Sequence, residues 1–326
     1  MHAVTMSGPG EPEVLQWAEV PDPIPTAGEV LIRVCAAGLN RADIMQRQGF
    51  YPPPPGASPL LGLECSGTIV ALGSGVEGWS VGDEVCALLA GGGYAELVAV
   101  PAGQLMPIPP GVDLETAGGV PEVACTVWSN VTDLCGLASG EWFLVHGGTS
   151  GIGTWAIQYA RAVGAHVAAT AGSDRKVERC RELGAEIAIN YQDEDFAALL
   201  PQATGGHGID VILDTIGAKY LPGNLACLAV GGRGVTIGLM GGRVGDLDLG
   251  MMLVKQGTWR ASSLRAKPVG EKTRICASTV RDMWPLIESR ALIPVVDRVM
   301  PMAEAAEAHR VLASSEHIGK VLLRSP

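Results

Sequence analysis

Between the apolar run Phe143-Leu144-Val145 and the Ala-rich stretch from Thr154 to Val163 lies His146-Gly147-Gly148-Thr149-Ser150-Gly151-Ile152-Gly153. Glycines placed between a strand and a helix let the backbone come close to a pyrophosphate. Amides at the start of the helix, aided by its dipole, take up the negative charge. A lone glycine turn is often only a tight turn. Here strand and helix patterns alternate repeatedly after it, so the segment from Trp142 to Tyr191 reads as a dinucleotide-binding unit.

The end of the second strand selects the nucleotide. A site for NAD usually places a carboxylate there, about 20 residues past the glycines, on the ribose hydroxyls. In this chain His166-Val167-Ala168-Ala169-Thr170-Ala171 runs into Gly172-Ser173, with no acid at the tip. Asp174 comes two residues later and is as apt to cap the helix carrying Lys176. A small residue, a hydroxyl and a lysine suit a 2′-phosphate, which needs donors and positive charge. Tyr191, after Ile187-Ala188-Ile189, is placed to close over it. The reading is NADP(H) rather than NAD(H).

These residues need a scaffold, and the patterning supplies two. Up to about residue 121 the chain reads as β-rich and barrel-like. Glu29–Val34 alternates as a half-buried strand, Gly67–Gly73 reads as another, and Val81–Val85 and Tyr94–Val100 continue the pattern. From 122 to 265 the period changes to a helix over Val123–Leu134, then strands Phe143–Val145, His166–Ala171, Ile187–Ile189, Asp210–Asp214 and Val235–Ile237 with helices between. That is the α/β pattern of a doubly wound parallel sheet. Residues 266 to 326 carry a helix near Glu271–Ser289, a strand near Val295–Val299, a helix near Met302–Ser314 and a strand at Lys320–Leu323; this tail is expected to rejoin the first domain.

Composition narrows the classes. With 326 residues, 47% hydrophobic and 17% charged, the chain suits a globular protein of about two domains. A formal charge of −11 opposes a general polyanion-binding role, so nucleic acid is not an expected partner. Lys255, Arg260, Arg265 and Lys267 are read as scattered solvated charges rather than a basic patch. The start has neither a basic nor a continuous apolar segment, and no apolar run reaches membrane-spanning length, so a cytoplasmic location is expected. The eight cysteines include no Cys-x-x-Cys pair and read as buried free thiols.

The order of motifs resembles the medium-chain dehydrogenase/reductase superfamily, in its zinc-free, zeta-crystallin-like quinone oxidoreductase branch. Beyond the glycine turn, the likeness rests on Ala37-Gly38-Leu39-Asn40-Arg41-Ala42-Asp43, Gly49-Phe50-Tyr51-Pro52, Gly62-Leu63-Glu64, Gly75-Val76, Val81-Gly82-Asp83 and Ile318-Gly319-Lys320. The run from Asn40 to Gly49 and the loop Gly238-Leu239-Met240-Gly241-Gly242 look nearest to the subgroup induced by a tumour suppressor in animals. The resemblance implies a GroES-like catalytic domain beside a Rossmann cofactor domain. It also implies that the zinc-dependent relatives' cysteine and histidine ligands are replaced by Asn40 and Leu63. Leucine cannot ligate zinc and an amide is a poor substitute for a thiolate, so no metal is expected. Cys65 is read as a buried small residue.

The same resemblance implies roles for residues. Asn40 would lie near the nicotinamide and Tyr51 would line the substrate pocket at the domain cleft, offering an amide and a phenol. A second tyrosine common in bacterial relatives is replaced here by Met45. Ser150, Gly151, Ile152 and Gly153 would meet the pyrophosphate of NADPH; Gly172, Ser173, Lys176 and Tyr191 its adenosine phosphate. Ile216-Gly217 and Gly238-Leu239-Met240 would wall the nicotinamide, joined by Ser263-Leu264-Arg265, with Thr126 and His317 as weaker contacts. Without a Lewis acid to stabilise an alkoxide, an already electrophilic acceptor is favoured. The expected reaction is reduction of a quinone. Reduction of an enone or enoyl thioester, or an NADPH-binding structural or RNA-binding role, are the alternatives. A homodimer paired through Thr258–Ser263 is also expected.

Overall fold

The computed structural model describes residues Met1–Pro326 and divides into two compact units. The first comprises Met1–Cys125, Leu264–Arg290 and Pro294–Pro326; the second comprises Thr126–Ser263 and Ala291–Ile293.

The second unit is built on a six-stranded, all-parallel sheet. Its spatial order is Ile187–Asn190, His166–Ala171, Trp142–His146, Ile209–Asp214, Leu228–Thr236 and Thr258–Ala261. Counted along the chain this is 3-2-1-4-5-6, the doubly wound order whose reversal point lies between the first and fourth strands. His166–Ala171 is apolar on both faces because helices cover both, and Val167, Ala168 and Ala169 are fully buried. The helix Gly151–Ala162 packs against the strands His166–Ala171 and Trp142–His146 and buries Trp155, Ala156, Ile157 and Ala160. Truncating Trp155 to Ala would cost about 3–5 kcal/mol.

The first unit holds a seven-stranded, mainly antiparallel sheet. Its path runs Val296–Pro301, Lys320–Arg324, Glu29–Gly38, Glu64–Leu72, Glu84–Leu88 and Leu105–Pro107, with Leu97–Pro101 paired to Glu29–Gly38. Alternation along Glu29–Gly38 turns Val30, Ile32 and Val34 into the core and leaves Arg33 outside. The two last strands come from the chain's tail, which therefore completes the first unit's sheet.

Several local expectations are corrected. Val81–Asp83 forms a turn, and the strand starts only at Glu84, because Gly82 sits at φ 99°. The helix over Val123–Leu134 is α-helical only from Pro121 to Val127 and becomes a π-helix over Trp128–Leu134. Met302–Glu304 is a separate 3₁₀ turn before the helix Ala305–Ser314. Asp174 does not cap its helix: Ser173 holds the cap position, and Asp174 accepts from the Asn190 amide at 3.0 Å.

Candidate active site

In the second unit the glycine turn leaves the strand Trp142–His146 at the reversal point of the sheet. Threonines on neighbouring segments pin it. Thr170 Oγ1 lies 3.0 Å from His146 Nδ1, the Gly148 amide donates to Thr170 O at 2.8 Å, and Thr215 Oγ1 donates to His146 O at 3.3 Å. His146 Nε2 meets Asn224 Oδ1 at 2.7 Å, and burial pulls the imidazole down to about 4. It stays neutral and structural. Ser150 caps the helix by accepting from the Gly153 amide at 3.0 Å. The Gly151 and Ile152 amides, at the first two helical positions, have no acceptor within the helix. A Cβ at Gly153 would lie 2.2 Å from Gly147 O, so only glycine permits this close turn.

Gly172 and Tyr191 are brought together: a Cβ on Gly172 would lie 2.4 Å from the Tyr191 hydroxyl. Ser173 and Lys176 follow at the start of the helix Asp174–Leu183. Two further strand ends are laced to each other. Buried Asp214 accepts from the amides of Ile216 at 2.8 Å and Gly217 at 3.0 Å, and from Thr236 Oγ1 at 3.1 Å. The Gly241 amide donates to Ile216 O at 2.7 Å, which sets Gly238, Leu239 and Met240 beside Ile216 and Gly217. Leu239 and Met240 are exposed. Thr126 is buried, and its carbonyl accepts from Asn130 Nδ2 at 2.8 Å.

Ser263 closes the second unit, whereas Leu264 opens a segment of the first and is buried there. His317 also belongs to the first unit and is buried.

The first unit contains a buried polar knot around Asn40. The Lys320 ammonium, 6% exposed as a residue, donates to Glu64 Oε1 at 2.6 Å, Asn40 Oδ1 at 2.8 Å and Leu39 O at 2.8 Å. Asn40 Nδ2 donates to Glu64 Oε1 at 2.9 Å and to Gly38 O at 3.3 Å. Glu64 Oε2 accepts from the Glu122 amide at 2.9 Å. The Asn40 side chain is thus engaged on both its oxygen and its nitrogen. Dense surroundings, and then the Glu64 carboxylate, push the Glu122 carboxyl up to about 8, although its side chain keeps some accessible surface. Burial raises Asp43 to about 6 despite donors from Asn40 N, Gly62 N and Tyr94 Oη.

Tyr51 is half-buried beneath the Arg265 guanidinium, whose carbon lies 5.2 Å from the ring centroid. Lys320 and Glu122 were not singled out as members of the site by sequence, and Arg265, expected both beside the nicotinamide wall and as a solvated charge, is instead buried. The signal for Lys320 was available: it is a cation opening the apolar strand Lys320–Arg324. No three His, Cys, Asp or Glu side chains converge as a metal site. Cys65 is fully buried, and burial raises its thiol far above the ordinary range.

Residues 151–288 match the zinc-binding dehydrogenase family, and residues 26–110 match the alcohol dehydrogenase GroES-like domain. A mycocerosic acid synthase-like polyketide synthase of Mycobacterium tuberculosis is 31% identical over 98% of this chain. The chain spans only 15% of that protein's length. Among solved structures, an NAD-dependent alcohol dehydrogenase is 34% identical with a TM-score of 0.88, each chain being 99% covered. Escherichia coli quinone oxidoreductase complexed with NADPH is 28% identical with a TM-score of 0.90, covering 99% of this chain and 100% of that one. The CurK enoyl reductase is 28% identical with a TM-score of 0.88, covering 100% and 99%.

Proposed function

The chain belongs to the medium-chain dehydrogenase/reductase superfamily, and from that membership we propose that it is an NADPH-dependent reductase of conjugated carbonyl acceptors, quinones first. The observation that carries this reading is the knot at Asn40. Zinc, which the family name implies, does not suit these residues: Leu63 offers no donor, and Asn40 Oδ1 and Glu64 Oε1 already accept from the Lys320 ammonium. A reaction without a Lewis acid favours an acceptor that is electrophilic on its own.

The cofactor reading fits the second unit. The Gly151 and Ile152 amides would receive the pyrophosphate, and Ser173, Lys176 and Tyr191 the 2′-phosphate. No acid stands at the strand tip, which supports NADPH although one neighbour is named NAD-dependent. When bound, NADPH supplies the hydride equivalent. Because the Asn40 amide is committed to Glu64 and Gly38, the hydrogen-bond donor for the acceptor oxygen falls to the Tyr51 phenol.

Enoyl thioester reduction is the second reading, supported by the polyketide synthase relative and the CurK neighbour. Against it, each of the basic residues Lys255, Arg260, Arg265 and Lys267 is engaged or buried within its own unit. Lys255 donates to Leu228 O, Arg260 to Leu134 O, Arg265 is buried, and Lys267 pairs with Glu271. The test is kcat/KM for 1,4-benzoquinone against an enoyl thioester with NADPH. A quinone preference supports the first reading, and a thioester preference replaces it with the second.

We also propose a homodimer. Thr258–Ala261 is an edge strand, and the helix Leu249–Lys255 just before it exposes Leu249, Leu253 and Val254, with Leu253 at 78%. Pairing there would satisfy the edge and cover the apolar side chains.

A further inference from the structure

We propose that Arg265 is a positioning residue for Tyr51, its one guanidinium holding the Tyr51–Pro59 loop at both ends so that the phenol presents its hydroxyl to the acceptor. This rests on the reading of Tyr51 given above. Arg265 is 4% exposed and spends its fork on three segments of the first unit. Nε donates to Ala90 O at 2.7 Å, Nη1 to Tyr51 O at 3.2 Å and Nη2 to Gln46 Oε1 at 2.7 Å. Gln46 Nε2 in turn donates to Pro59 O at 2.9 Å. The guanidinium therefore grips the start of the loop directly and its end through one amide.

Between these points stand Pro52, Pro53, Pro54 and Pro55. Prolines fix φ, so the segment is stiff, and anchoring its ends fixes the tyrosine between helix and loop. The guanidinium carbon also lies over the ring, 5.2 Å from its centroid, where a cation is attracted to the π-face and draws electron density from it. That makes the phenol O–H a stronger donor. Lysine's donors all radiate from one nitrogen, so they cannot span Tyr51 O, Gln46 Oε1 and Ala90 O, which are met by three separate nitrogens of the guanidinium fork. The main-chain carbonyl of Arg265 is itself held by Lys272 Nζ at 3.2 Å.

The experiment is a double-variant cycle: kcat and KM for wild type, Arg265→Lys, Tyr51→Phe and the pair, with NADPH and the fastest acceptor found. Tyr51→Phe should lower kcat about tenfold, the loss of one hydrogen bond made in the transition state. Arg265→Lys should lower kcat similarly with the NADPH KM unchanged, and the pair should be no slower than Tyr51→Phe alone. Multiplying losses, or full kcat in Arg265→Lys, overturns the proposal while leaving Tyr51 in place. Full kcat in Tyr51→Phe overturns the reading of Tyr51 and this proposal with it, as does a wild type that reduces no acceptor. Should Arg265→Lys fail to fold, Gln46→Ala cuts one anchor only. Its smaller loss must likewise vanish in the Tyr51→Phe background, and a loss that persists there overturns the proposal.

Discussion

In the proposed reading Lys176 carries the choice between the two nicotinamide nucleotides. It stands three positions after the cap residue Ser173, in the first turn of the helix that follows Gly172. A charge-assisted hydrogen bond to a phosphate contributes about 1.5–3 kcal/mol, so Lys176→Ala is expected to weaken NADPH binding roughly ten- to hundredfold and NADH binding little. Titration of both nucleotides by fluorescence checks this, and equal weakening removes the phosphate assignment. Small residues at Gly172 and Gly153 were legible in sequence because their neighbours define a strand-turn-helix. Arg265 was named in sequence as part of the nicotinamide wall, but the partners of its guanidinium were not legible, because they lie on separate segments around Gln46, Tyr51 and Ala90.

At the scale of elements, one strand is tied to one buried charge. Lys320–Arg324 pairs with Glu29–Gly38 and so delivers the Lys320 ammonium to Asn40 and Glu64. Replacing the cation alone leaves the Glu64 carboxylate, 0% exposed, without its counter-charge. Lys320→Met should therefore lower the unfolding free energy by about 3–5 kcal/mol, and adding Glu64→Gln should recover part of it. Denaturant unfolding measures both, and a loss below about 1 kcal/mol would show the pair to be dispensable. Strand and helix order were readable from periodicity, since apolar alternation is local. The π-helix at Trp128–Leu134 was not: its apolar positions also fit an α-helix, and the registry that selects it includes tertiary contacts such as Ser262 with Asn130.

For the whole molecule, stability should fall with rising pH across part of the neutral range. The Glu122 carboxyl moves from an ordinary 4.5 to about 8 on folding. Between those values the folded state binds a proton that the unfolded state does not, so stability declines through the window and levels off above the folded value. Asp43 adds to the decline from 3.8 to about 6. His146, lowered from 6.5 to about 4, works oppositely, and its contribution rises with pH over that interval. Glu122→Gln, which imitates the neutral acid, should flatten the decline, with an advantage over wild type that grows through the window and is full above pH about 8. Urea unfolding at a series of pH values decides this, and an unchanged slope refutes it. Assembly belongs to the same scale: sedimentation should give a dimer at micromolar concentration, and Leu253→Asp a monomer. A wild-type monomer would remove the dimer proposal.

The most direct test of the account is stopped-flow decay of nicotinamide absorbance when the protein, treated with a strong zinc chelator, meets NADPH and 1,4-benzoquinone. NADPH should be oxidised rapidly, at a rate unchanged by the chelator and by added zinc. Activity that disappears with the chelator and returns with zinc would contradict it.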